Sequence, residues 1–175
     1  MDRRSLLGIS TLTVLAVALL VASTAAPQKA LKEQLQGTWS AVSATAILPD
    51  GTKSEQYGPN PKGMLIFDRD GRLSFILMSS NLPKFASNNR ETGTAAENAA
   101  VVQRSIAYFG TYSVNEADKS YTAQIEGSTF PNWTGATQTR TVAIAGDELT
   151  IGNPAASAGG KIDTKWKRAP AAATN

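Results

Sequence analysis

The chain contains no cysteine and no histidine. Without cysteine there is no disulfide, no thiol nucleophile and no lipoprotein acylation, so the fold has to stand on its core alone. Without histidine there is no Ser-His-Asp or Cys-His catalysis, and the usual imidazole and thiolate ligands for zinc or copper are missing. Acid–base chemistry falls to Asp, Glu, Lys or Tyr. No Asp/Glu cluster has the spacing of a calcium loop, and no two carboxylates are set out as an acid/base couple. The net charge of +3 comes from scattered residues, with no basic block or basic–aromatic stripe, which argues against a nucleic-acid partner. No metal and no cofactor is expected.

The N-terminus is a different kind of sequence. Arg3 and Arg4 precede an apolar run from Leu6 to Ala22, and the small residues Ser23 to Ala26 follow. Charged region, apolar region and small-residue cleavage site read as a secretory signal peptide over residues 1–25, cut after Ala25. Arg3-Arg4-Ser5-Leu6-Leu7 also resembles a bacterial twin-arginine export signal. The expectation is an exported protein, periplasmic or secreted.

The remaining length suits one domain. Residues 26–36 read as a short helix-like segment, with Leu31 and Leu35 four apart on one face. Residues 37–168 carry roughly eight strand-like runs joined by short turns, and residues 169–175 read as a flexible tail. The clearest hairpin pairs Met64–Phe67 with Arg72–Met78 around Asp68-Arg69-Asp70-Gly71. One insertion, Asn81 to Ser105, breaks the strand rhythm. Within it Thr94-Ala95-Ala96-Glu97 has the form of a capping box opening a helix that runs to about Arg104. The pattern predicts an all-β, up-and-down antiparallel barrel of about eight strands with one helical insertion. Gly37-Thr38-Trp39 opens the first strand. A Trp there can plug one end of a small barrel, which leaves a cup open at the other.

Several segments together resemble the bacterial and fungal lipocalin-like domain family. They are Gly37-Thr38-Trp39, Asp70-Gly71-Arg72, Phe109-Gly110-Thr111-Tyr112, Phe130 to Gly135, Gly146-Asp147-Glu148-Leu149 and Trp166-Lys167-Arg168. The match runs from about Leu35 to Arg168. The resemblance implies a lipocalin-type barrel; the family's biochemical role is mostly unassigned. In lipocalins a basic residue near the last strand stacks over the Gly-x-Trp indole. The resemblance therefore implies that Arg168 lies over Trp39 beside Gly37, in a structural role, with Arg140 as the second choice.

Candidate ligand contacts remain alternatives at this stage. Phe130, Asn132 and Trp133 either line the mouth of the cup or shape a turn. Arg72 and Arg140 either point inward, where Arg binds a carboxylate bidentately, or are strand-end surface cations. Tyr108 and Tyr112 share one strand face, but alternation does not say which face is inside. Phe85 in the insertion either closes the mouth or sits in an ordinary loop. The expected function is a monomeric module that holds a small apolar or amphipathic molecule without catalysis. The alternatives are a cofactor-free isomerase or cyclase using Tyr, Arg or Lys, and a protein-interaction module.

Overall fold

The computed structural model describes residues 29–171. The expected signal peptide and the last four residues of the tail lie outside them. In chain order the elements are α1 (Leu31–Leu35), β1 (Gly37–Ile47), β2 (Lys53–Ser54), β3 (Lys62–Phe67), β4 (Arg72–Met78), α2 (Ala95–Gln103), β5 (Ser105–Asn115), β6 (Ser120–Ser128), β7 (Thr137–Ala145), β8 (Glu148–Asn153) and β9 (Lys161–Arg168). Single 3-10 turns occupy Arg90–Thr92 and Pro131–Trp133.

Each long strand pairs antiparallel with the next, and β9 pairs back onto β1. Eight strands therefore close a barrel, as the strand count and the resemblance imply. The two-residue β2 attaches to the far end of β1. Closure leaves no edge strand along most of the ring, which removes the usual site of edge-to-edge aggregation.

Alternation decides the faces. Leu73, Phe75 and Leu77 of β4 point inward, as do Tyr121, Ala123 and Ile125 of β6 and Ile162, Thr164 and Trp166 of β9. Two bulges interrupt the pattern. Val42 is an extra residue in β1 between the pairs Ala41–Trp166 and Ser43–Lys165. The inward set therefore changes from Trp39 to Ala44 and Ala46, and Val42 is left exposed. Glu126 is the extra residue in β6, between the pairs Gly110–Ile125 and Phe109–Gly127.

One end of the barrel is sealed. Leu31 and Leu35 of α1 are buried against it. The Trp39 indole N–H donates to the Leu35 carbonyl at 2.8 Å. The Arg168 guanidinium lies 4.1 Å from the centre of the Trp39 ring and donates to the carbonyls of Gln36 (3.0 Å) and Gln34 (2.9 Å). Gly37 adopts φ +115°, a conformation that strains any side chain, and a Cβ there would press on the Arg168 guanidinium at 3.2 Å. From the β5–β6 turn, the Glu116 carboxylate accepts the backbone N–H groups of Leu31 (2.8 Å) and Lys32 (3.1 Å), pinning the start of α1.

The insertion is a side structure. The capping box forms: Thr94 Oγ1 accepts from the Glu97 N–H at 3.3 Å and Glu97 Oε2 accepts from the Thr94 N–H at 2.7 Å. No residue of α2 is buried.

Candidate functional site

The cavity lies at the end away from α1 and Trp39. Phe75 and Leu77 of β4, Ile106 and Tyr108 of β5, Ile151 of β8 and Ile162 of β9 make its apolar wall. Tyr57, Trp133 and the Ala156–Ser157 stretch border the mouth. Arg140, Asn153, Thr164 and Gln56 supply the polar groups. Aromatic contacts fix the wall: Phe75 stacks on Tyr108 at 4.6 Å and meets Trp166 edge-on at 5.3 Å. Tyr108 meets Trp133 edge-on at 5.7 Å. The free space is small, about 40 Å³. That is room for about one water molecule.

The polar groups differ in how well they are satisfied. Asn153 Oδ1 accepts from the Ala155 N–H at 2.9 Å, a local turn contact. Thr164 Oγ1 accepts from the Trp166 indole at 2.8 Å and sits 3.4 Å from the Ile151 carbonyl. Arg140 donates to the carbonyl of Thr139 at 3.1 Å and to the side chain of Gln138, and its guanidinium lies 5.8 Å from the Trp133 ring centre. Tyr121 lies directly across from Arg140 in the β6–β7 register, and its hydroxyl is buried with no hydrogen-bond partner among the described residues.

Burial controls the hydroxyls. It pushes the Tyr57 phenol up to about 12, with Tyr108 adding to the shift. Burial also raises Tyr108, opposed by the nearby Arg140 charge, and it pushes Tyr121 well above its ordinary value. All three are protonated at neutral pH, as an ordinary tyrosine is, and burial carries them further from ionisation.

The structure separates the sequence candidates. Tyr108, Trp133 and Arg140 line one cavity. Phe130 is half-buried and braces Trp133 edge-on at 5.7 Å, so it supports the mouth from behind. The other candidates lie elsewhere. Arg72 is on the outer face, ion-paired to Glu126 at 2.6 Å, because its strand parity is that of Ser74 and Ile76. Tyr112 points inward but toward the sealed half, where its hydroxyl donates to the Asp68 carbonyl at 2.8 Å and its ring meets Phe67. Asn132 is exposed on its 3-10 turn. Phe85 packs beside Gly93 at the approach to α2, and no residue of the insertion lines the cavity. The sequence leaves the facing of Tyr57 and Tyr121 undecided and carries no local mark of Asn153 or Thr164. Strand parity carries the only signal for the last two, and it becomes readable once the inward face of each strand is known.

Among the described residues no group of three Asp or Glu side chains is placed to hold a metal ion. Nor is any helix there long and apolar enough to cross a membrane.

A family model described as the lipocalin-like domain matches residues 36–169. The 4'-hydroxy-3'-methoxypropiophenone carrier protein ppsC of Aspergillus oryzae is 29% identical over 85 residues, 45% of this chain and 77% of that protein.

Proposed function

Since the chain belongs to the lipocalin-like domain family, we propose that it is an exported carrier that holds one small apolar or amphipathic molecule in the open half of its barrel, without catalysis. The observation that carries this reading is the asymmetry of the barrel interior. One end is plugged by Trp39, Arg168 and α1, while the other holds a cavity walled by apolar and aromatic side chains with a few convergent polar groups. Sites of that composition bind small molecules by removing apolar surface from water, at ~25 cal/mol per Å², with the polar groups fixing orientation. The Aspergillus relative, a carrier protein by name, supports the same reading and makes its aromatic ketone the first probe to try. Export rests on the Arg3-Arg4 pair and the apolar run behind it.

The test is native mass spectrometry of the protein purified from its own envelope, followed by denaturing release. A stoichiometric small molecule supports the carrier and gives its ligand's class. A clean mass that stays clean after incubation with envelope extract and with the aromatic ketone overturns it. Export is tested separately. Arg3→Lys with Arg4→Lys blocks a twin-arginine route, and undiminished export of the double variant removes that route.

A further inference from the structure

Arg140 is the only charged side chain buried among the described residues, at 5% exposed. Strand β7 brings it there, because Arg140 shares the inward parity of Val142. No carboxylate accompanies it. The two ion pairs among the described residues are Arg72–Glu126 and Arg168–Asp147. Arg140 instead bonds two neutral acceptors of its own strand, the Thr139 carbonyl and the Gln138 side chain. A buried cation left without a counter-ion is unfavourable; its two neutral acceptors and the Trp133 ring offset part of that cost, and an anion would complete the site.

A second observation is independent of the charge. Tyr121 pairs with Arg140 in the β6–β7 ladder, and its buried hydroxyl makes no hydrogen bond of good geometry among the described residues, with Tyr108 and Arg140 as its polar neighbours. Both it and the Tyr108 hydroxyl are protonated at neutral pH, and burial carries them further from ionisation. The cavity lining therefore offers a fixed positive charge at Arg140 and a neutral O–H donor at Tyr108, with Tyr121 buried next to both. One water in the free space could bond a hydroxyl, but it could not neutralise the guanidinium.

We propose that Arg140, with the Tyr108 and Tyr121 hydroxyls beside it, is an anion-binding pole inside the barrel, so that the ligand is an amphiphile with an organic oxyanion head, a carboxylate or a phenolate. The inference rests on the carrier reading and refines it. The head sits against Arg140, and the apolar body lies along Phe75, Ile106 and Ile151 toward Trp133. Arg suits such a head because its planar fork offers parallel N–H donors to two oxygens.

Calorimetric titration with two matched pairs tests it: cinnamate against methyl cinnamate, and 4-nitrophenolate against 4-nitroanisole. The expected result is that at least one anion binds about tenfold tighter than its neutral partner, with the responding pair identifying the head. Arg140→Met keeps the aliphatic stem and erases the preference, weakening the anion far more than its neutral partner. Tyr121→Phe narrows the preference with Arg140 in place, which keeps the test alive if Arg140→Met does not fold. Arg72→Met, on the outer face, leaves the preference unchanged; if it erases the preference, the anion binds the surface and the pole is overturned. Equal binding of anion and neutral partner by the unmodified protein overturns the pole and leaves the carrier standing. No binding of any of the four compounds overturns the pole, while the carrier reading stands or falls on the mass-spectrometric test.

Discussion

Arg168 shows how much one side chain can hold. Its guanidinium covers the Trp39 ring at 4.1 Å, donates to the carbonyls of Gln36 and Gln34, and faces Asp147 at 3.5 Å. Lysine keeps the charge but lacks the fork that spans two carbonyls. Arg168→Lys and Arg168→Ala are both expected to destabilise the fold, by about 1–3 kcal/mol, with alanine the worse. Urea unfolding measures it, and an unchanged midpoint for both variants would show that the stack does not brace the sealed end. Tyr57 acts through pH. Its phenol is held at about 12 against an ordinary 10.0, because burial disfavours the anion. A raised folded value means the native state keeps its proton while the unfolded state releases it. The stability from Tyr57 is therefore complete below pH 10 and lost as pH rises toward 12. Tyr108 and Tyr121 shift in the same direction. Tyr57→Phe is expected to flatten part of the alkaline decline in unfolding midpoint; a decline identical to the parent's would assign it wholly to the other tyrosines. Arg72 and Arg140 mark the limit of what a sequence discloses at this scale. Both sit on strands with alternating neighbours, and the residue types alone did not say which face is inside. The difference lies in the facing strands: Arg140 opposes Tyr121 in the interior, whereas Arg72 opposes Thr111 and reaches Glu126 outside.

Among the elements, α2 is the most local. Its capping box was legible because a cap uses four consecutive residues and needs no distant partner. Glu97 does more than the box requires: its Oε1 also accepts the Ala86 N–H at 2.8 Å, tying the preceding loop to the helix start. Those backbone donors hold its carboxyl below the usual range, so the tie is present at neutral pH and is lost as pH falls through the lowered value. Thr94→Ala is expected to cost the helix about 1 kcal/mol. Because no residue of α2 is buried, the barrel's own unfolding should hardly move. Hydrogen exchange separates the two, with faster exchange in Asn98 to Gln103 and unchanged exchange in β5 beyond Tyr108. Equal acceleration in both would make α2 part of the barrel's cooperative unit. The bulges were not legible. The extra Val42 reverses the inward set of β1, and nothing in Trp39-Ser40-Ala41-Val42-Ser43-Ala44 announces it. Only the register against Lys165 and Trp166, more than a hundred residues away, places the slip.

At the scale of the whole molecule the barrel has two unlike ends, and ring closure was the most readable feature. Strand spacing and turn residues are local, and eight strands with short turns have few ways to cover their edges. The size of the cavity was not readable, because it depends on how Phe75, Tyr108, Trp133 and Trp166 interdigitate from four separate segments. That size governs how binding must proceed. Free space of about 40 Å³ is far below the ~300–1,000 Å³ of a drug-sized site. A ligand the size of an aromatic ketone therefore requires side chains of the cavity to move aside. Trp133 is the side chain placed to move. It sits on a 3-10 turn, half-buried, and is held by edge contacts to Tyr108 and Phe130 and by the Arg140 guanidinium. If opening precedes binding, the observed association rate in stopped flow rises with ligand concentration and then levels off at the opening rate. Trp133→Ala removes the gate and part of the apolar wall together. The plateau should then disappear and association should quicken by about tenfold, while dissociation quickens more, so that affinity falls. A rate that climbs linearly in the unmodified protein, at concentrations where Trp133→Ala behaves the same way, would mean that the mouth stands open and that ligand space is made deeper in the barrel, by Tyr108 and Phe75 parting.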